Sequence, residues 1–259
     1  MNVETLNYTY DFAKTCEEWT HPPAEGCEFL TSANILQMSN EQILMIVNII
    51  EQERYCGWRN YKGLWRGLLG LDDTVGKHIL DFGCGLGIES LQFARSGNKV
   101  SIADIVSVNL DAAERILSVC GHKIENKILV TRTYPFFEWD ALPIDIFYAN
   151  GVLHHTPMIR EILGRANEVL NENGEVRLLL YSDIAWCIMT GEDPDRTIPV
   201  HLHPLFMKFV RAMDQYGVYA DWYDLEKLQD VVKGMFRVKS FQYMTNTGQY
   251  CVAVLKRLK

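Results

Sequence analysis

The chain reads as an α/β protein built on a mostly parallel sheet, and three observations predict that class. Between Lys77 and Ser182, short apolar runs alternate with helix-length amphipathic segments. That alternation marks strands covered on both faces by crossover helices. The first run, "HILDF" at 78–82, opens directly into a loop with glycines on alternate positions, Gly83, Gly85 and Gly87. Two β-rich stretches near the end of the sequence, "FRVKSFQYMTN" and "QYCVAVLKRL", are joined by a Thr-Gly pair, which reads as an antiparallel hairpin.

Residues 1–75 form a separate texture, read as an N-terminal helical cap rich in aromatics. Ser39 followed by Gln42 makes a capping box in front of "ILMIVNIIEQERY", so a helix of roughly 15 residues starts there. Residues 76–259 carry the α/β domain. Its strands are 78–82, 99–106, 127–132, 144–153 and 175–182. Between them lie helices over "IESLQFARSG", over "VNLDAAERILSVCG" with Gly121 as C-cap, and over "MIREILGRANEVLNENG" ending at Gly174. Residues 183–235 are too long for a simple connection and are read as an insertion that acts as a substrate lid.

The totals bound the function. At 259 residues, 48% hydrophobic and 22% charged, the chain can bury a full core without staples. A formal charge of −8 argues against a nucleic-acid partner, which needs a basic face. Seven scattered cysteines without a C-x-x-C pair indicate neither a disulfide framework nor a zinc site. His201 and His203 make an H-x-H without a carboxylate cluster, so no metal is expected. The first residues lack a basic start and apolar core, so no signal peptide is expected. The apolar stretch at 43–50 is too short to span a bilayer. The expectation is a cytoplasmic protein without a membrane partner; the oligomeric state is left open.

Ligands on parallel sheets bind beyond the carboxyl ends of the strands, so the residues there are the candidates. A dinucleotide fingerprint needs its third glycine at 88, where the chain has Ile88, and no Lys-Ser/Thr follows as in a P-loop. The loop therefore suits an anionic group other than a pyrophosphate, such as a carboxylate at the helix start. Asp104 ends the second strand, where an acid can accept the hydroxyls of a ribose.

"DFGCGLG", the acid closing the second strand and "LPIDIFYANGVLHHTP" together resemble the class I S-adenosylmethionine-dependent methyltransferases over about residues 60–182. The resemblance implies a doubly wound seven-stranded sheet with the last strand antiparallel. It implies that S-adenosylmethionine binds, with Gly83, Cys84, Gly85 and Gly87 around its methionine part. Asp81 then orders the loop and the amino group, Asp104 takes the ribose, and Ile105 lies beside the adenine. The adenine amine is met by Asp140 or by the Thr133-Tyr134 pair, and the backbone near Asn150 meets the amino group.

The place after the fourth strand lacks the Asn/Asp-Pro-Pro-Tyr/Phe of enzymes acting on base amines or glutamine. A small-molecule acceptor is expected, with O-methylation ahead of N- or C-methylation. Removing a hydroxyl proton needs a base with a pKa near neutrality, which makes His154 or His155 the candidate. Asp183 could orient a histidine and Tyr181 could hydrogen-bond the acceptor. Two alternatives stay open: a non-catalytic module that binds the cofactor or a partner, and a nucleotide-dependent oxidoreductase.

Overall fold

The computed structural model describes residues 10–56, 64–140, 143–213, 218–244 and 247–258. Seven strands form one sheet: β1 His78–Phe82, β2 Lys99–Asp104, β3 Lys127–Leu129, β4 Ile144–Asn150, β5 Leu170–Tyr181, β6 Phe236–Met244 and β7 Tyr250–Arg257. Their order is β3-β2-β1-β4-β5-β7-β6. All neighbours from β3 to β5 are parallel, and β7 runs antiparallel between β5 and β6. The chain winds outward from β1 to β3, then returns to lay β4 on the other side of β1. That reversal opens a crevice above the carboxyl ends of β1 and β4.

Helices α1 Phe12–Glu18, α2 Ser32–Gln37, α3 Asn40–Cys56 and α4 Leu64–Leu69 precede the sheet. The crossovers carry α5 Ile88–Arg95, α6 Ser107–Val119 and α7 Ile159–Val169. After β5 come α8 Asp183–Thr190, α9 Phe206–Met213 and α10 Leu225–Val232. Among the described residues, no helix is long and apolar enough to cross a membrane.

Strand alternation divides the core. Ile79, Ile102, Ile146 and Leu179 face one side, where they join Ile43, Ile46, Val47 and Ile50 of α3. Leu80, Ala103, Phe147 and Leu178 face the other, against Ile162, Leu163 and Ala166 of α7. Full burial of such a side chain contributes about 1.5–3 kcal/mol, so α3 is held by its apolar stripe. Its start is the capping box read from the sequence: Ser39 N–H donates to Gln42 Oε1 at 2.8 Å, and Gln42 N–H to Ser39 Oγ at 3.3 Å. A third cluster, with Trp186, Phe206, Phe209 and Trp222, lies within residues 183–235 and packs on Tyr181.

Several expected boundaries move. The helix expected to reach Gly174 ends at Val169, and β5 begins at Leu170, which pairs with Ile144. Asn171 Nδ2 donates to Asp145 Oδ1 at 2.6 Å, and Asn171 Oδ1 accepts from Asn173 N–H at 2.9 Å. Such side-chain bonds compete with helix continuation. β2 stops at Asp104 because that side chain takes the Val106 N–H at 2.9 Å. β3 ends at Leu129, and β4 at Asn150, where a single 3₁₀ turn over Leu153–His155 follows.

Candidate active site

One cavity lies at the sheet reversal. Its floor is the loop Gly83–Leu86, with Asp104 and Ile105 on one side and Asn150 to Thr156 on the other. The loop is glycine for steric reasons. Gly83 has φ +77, and a Cβ there would stand 2.4 Å from the Val152 side chain. Gly87 does not line the cavity; it has φ +71, and a Cβ would meet Ala113 at 2.8 Å. Its bareness lets α5 start against α6.

Asp104 is buried and accepts from Gly85 N–H at 3.0 Å, Val106 N–H at 2.9 Å and Asn109 Nδ2 at 3.2 Å. A carboxylate offers about four acceptor positions, and Oδ2 takes the Gly85 N–H. Burial pushes its pKa up to about 6, against the pull of the Val106, Gly85 and Asn109 bonds. Asp81 lies beneath the loop, outside the cavity lining, and accepts from Ser90 Oγ at 2.5 Å. Burial raises it to about 7, with the Ser90 bond opposing.

The two histidines differ. His154 is buried, its ring stacks on Tyr181 with centroids 3.7 Å apart, and its Nδ1 accepts the Tyr181 N–H at 3.1 Å. Burial, then the neighbouring His155, holds it well below the ordinary imidazole range. His155 has its Nδ1 3.1 Å from the Tyr219 carbonyl. A carbonyl only accepts, so Nδ1 carries the hydrogen and Nε2 the lone pair of the neutral ring. Its ring stands 4.8 Å from Trp19 and 5.4 Å from Tyr181.

Gly83, Cys84, Gly85, Asp104, Ile105, Asn150, His154, His155 and Tyr181 thus meet around one cavity, as the sequence grouped them. Other candidates stand elsewhere. Tyr134 is 64% exposed with its hydroxyl 2.9 Å from Glu168, and Asp140 is exposed. The Thr131 N–H donates to Phe136 O at 2.6 Å, closing a turn that carries Tyr134 outward. Val130, Thr131 and Phe136 line the cavity in its place. Asp183 lies outside the lining and accepts from the Tyr243 hydroxyl at 2.9 Å. Trp58, Tyr61 and Tyr216 lie outside the described residues, as does the Trp65 side chain. His203 Nδ1 accepts from Leu205 N–H at 3.1 Å, and its ring packs on Trp186.

Sequence reasoning missed the residues that the N-terminal helices deliver. Tyr10, Trp19, Pro22, Pro23 and Arg54 all line the cavity, with Glu89 from α5. Arg54 Nη1 donates to both Glu89 oxygens at 2.9 and 2.7 Å, Nε to Glu25 at 2.8 Å and Nη2 to the Pro23 carbonyl at 3.0 Å. Burial works against this charge, but Glu89 and Glu25 outweigh it and hold the guanidinium above its ordinary range. A signal existed: Arg54 continues the apolar stripe Ile43, Ile46, Val47, Ile50 at helical spacing, so α3 buries it.

Residues 80–176 match the family described as "Methyltransferase domain". A "Ubiquinone biosynthesis O-methyltransferase, mitochondrial" of Schizosaccharomyces pombe is 31% identical over 221 residues, covering 82% of this chain and 68% of that protein. The chain belongs to the S-adenosylmethionine-dependent methyltransferases. Its sheet is that of class I, and solved structures share the fold at low identity. A SAM-dependent methyltransferase from Aquifex aeolicus is 14% identical with a TM-score of 0.51, covering 85% of this chain and 100% of that one. An S-adenosylmethionine-dependent methyltransferase from Mesorhizobium loti is 15% identical with a TM-score of 0.55, covering 74% and 97%.

The cofactor of this methyltransferase is therefore S-adenosylmethionine, and the cavity suits it. The Val152 contact leaves no room for a side chain at Gly83, and the buried carboxylate of Asp104 lines the cavity as a hydrogen-bond acceptor. Among the charged lining residues, two carboxylates (Glu89 and Asp104) face one guanidinium (Arg54). That excess of negative charge favours a cationic ligand.

Proposed function

We propose that this methyltransferase methylates a hydroxyl oxygen of a small, uncharged metabolite with a flat apolar body. The observation that carries the reading is His155, a cavity imidazole whose Nδ1 is committed to the Tyr219 carbonyl so that Nε2 is the basic nitrogen. The Schizosaccharomyces pombe relative, named for O-methylation in ubiquinone biosynthesis, supports the oxygen. The lining supports the apolar body: Tyr10, Phe12, Trp19, Met158, Ile162 and Tyr250 offer rings, a thioether and an aliphatic side chain. Arg54, the guanidinium in the lining, has its donors engaged by Glu89, Glu25 and Pro23, so it holds none for an anionic acceptor.

In this reading the loop at Gly83–Gly85 cradles the methionine part, Asp104 takes the ribose hydroxyls, and Ile105 with Val130 and Phe136 covers the adenine. The backbone at Asn150 meets the amino group. S-adenosylmethionine held there would supply an electrophilic methyl and would leave as the neutral thioether. His155 Nε2 removes the acceptor proton as the oxygen–carbon bond forms, and Tyr181 with Trp19 orients the acceptor. General-base assistance of this kind contributes about 10²–10⁴-fold. Residues 1–75 and 183–235 act as cap and lid. Seven unpaired thiols suit a reducing compartment such as the cytoplasm, and the acidic surface disfavours nucleic acid as acceptor.

A methyl-transfer assay over phenols, aliphatic alcohols, amines and phosphorylated alcohols tests the proposal. Turnover of neutral hydroxyl compounds is expected. Turnover confined to amines or to phosphorylated acceptors would overturn it.

A further inference from the structure

Asn109 lies on the buried face of α6, one of the few polar side chains there, and is 1% exposed. Its Nδ2 donates to Asp104 Oδ1 at 3.2 Å and to the Trp19 carbonyl at 2.9 Å. Its Oδ1 accepts from Ser32 Oγ at 2.6 Å. Both amide hydrogens and the amide oxygen are thus committed, which determines the amide's orientation. Turned over, the oxygen would face two acceptors, the Asp104 carboxylate and the Trp19 carbonyl.

The three partners belong to different parts of the molecule. Asp104 ends β2 on the cavity, Ser32 opens α2, and Trp19 is the C-cap of α1. The last carbonyls of a helix have no partner within it, and Asn109 supplies one for Trp19. α1 has only seven residues, too few to hold a helix without tertiary ties. A second tie runs from Cys16 Sγ to the Ile105 carbonyl at 3.8 Å. At its far side Trp19 touches the His155 ring, 4.8 Å between centroids. Asp104, Asn109, Trp19 and His155 form a continuous path from one end of the cavity to the other.

We infer that Asn109 is a positioning residue that couples occupancy of the nucleoside site at Asp104 to the seating of α1 and Trp19 against His155. The inference rests on the reading of Asp104 as the ribose acceptor. A ligand hydroxyl on Oδ2 holds the carboxylate in one rotamer and keeps Oδ1 aimed at Asn109. Bonds in such a buried chain reinforce one another, so α1 is held more tightly when the nucleoside is bound. The acceptor end of the cavity is then completed after the cofactor end fills.

Hydrogen–deuterium exchange on the full chain, with and without saturating S-adenosylhomocysteine, reads this directly. In the wild type the product should slow exchange over residues 11–19 by about fivefold or more, the low end of ordinary site-to-site coupling. In Asn109→Ala at saturation the glycine loop should still be protected while the effect on residues 11–19 falls below about twofold, which removes most of that coupling. Equal slowing in the variant, or none in the wild type, overturns the coupling. Should Asn109→Ala fail to fold, Asn109→Leu carries the test, because it keeps the volume and removes both donors: loss of at least half the α1 effect supports the inference, and full retention overturns it. Unchanged product affinity in Asp104→Ala would overturn the nucleoside reading together with the coupling. Weakened affinity there, with α1 still slowed in Asn109→Ala, overturns the coupling alone.

Discussion

Tyr181 holds His154 from two directions, by its backbone N–H on Nδ1 at 3.1 Å and by its ring stacked at 3.7 Å. The lone pair that a base would use is already occupied by an amide, in a ring that burial keeps neutral. On the proposed reading, the adjacent histidines have separate duties, one structural and one facing the chemistry.

That separation gives opposite phenotypes. His155→Ala should lower kcat on a hydroxyl acceptor by about 10²-fold or more while leaving the urea midpoint nearly unchanged. His154→Ala leaves the Tyr181 N–H buried without an acceptor and should cost about 1–3 kcal/mol of stability. Steady-state kinetics beside urea unfolding would expose an exchange of roles.

Asp104 should govern cofactor affinity and its pH dependence. Losing hydrogen bonds to a charged group costs about 1.5–3 kcal/mol, so Asp104→Ala should weaken S-adenosylhomocysteine binding at least tenfold by calorimetry. With its pKa pushed up to about 6, the wild-type carboxylate protonates as pH falls through that value. Affinity should decline below it; a flat profile from pH 8 to 5 counts against the assignment.

The same burial sets a stability trend. Asp81 and Asp104 have folded-state pKa values of about 7 and about 6, above the ordinary carboxylate value. The folded chain thus binds protons more tightly than the unfolded one. Their stabilising contribution is complete below the unfolded pKa near 4 and is lost as pH rises through 6 to 7. Asp81→Asn, which mimics the protonated form, should flatten the fall in urea midpoint between pH 5 and 8. An undiminished fall would remove Asp81 from the explanation.

Arg54 ties α3, the Glu25 segment and α5 together. Arg54→Met strands Glu89 and Glu25 in the interior, and breaking a buried pair from one side costs about 3–5 kcal/mol. Thermal unfolding should show the loss, with little relief from added salt because the site is screened from solvent. A cost below about 1 kcal/mol, the level of an exposed pair, would mean the cluster is solvated.

Strand and helix periodicity, the glycine spacing and the acid after the second strand were legible in the sequence because they are local. A period of two places Ile79 and Leu80 on opposite faces whatever surrounds them. The sequence by itself therefore indicated the sheet, the cofactor and nine of the residues around the cavity. Three things depended on tertiary structure. Tyr134 and Asp140 looked suitable by counting, but a turn closed by Thr131 and Phe136 carries Tyr134 away and brings Phe136 inward. Arg54, Trp19 and Asn109 reach the cavity through packing between segments 35 to 90 positions apart, and no local pattern encodes such distances. The proposed choice between His154 and His155 rests on which carbonyl or amide each ring nitrogen meets, and only the folded backbone supplies those partners.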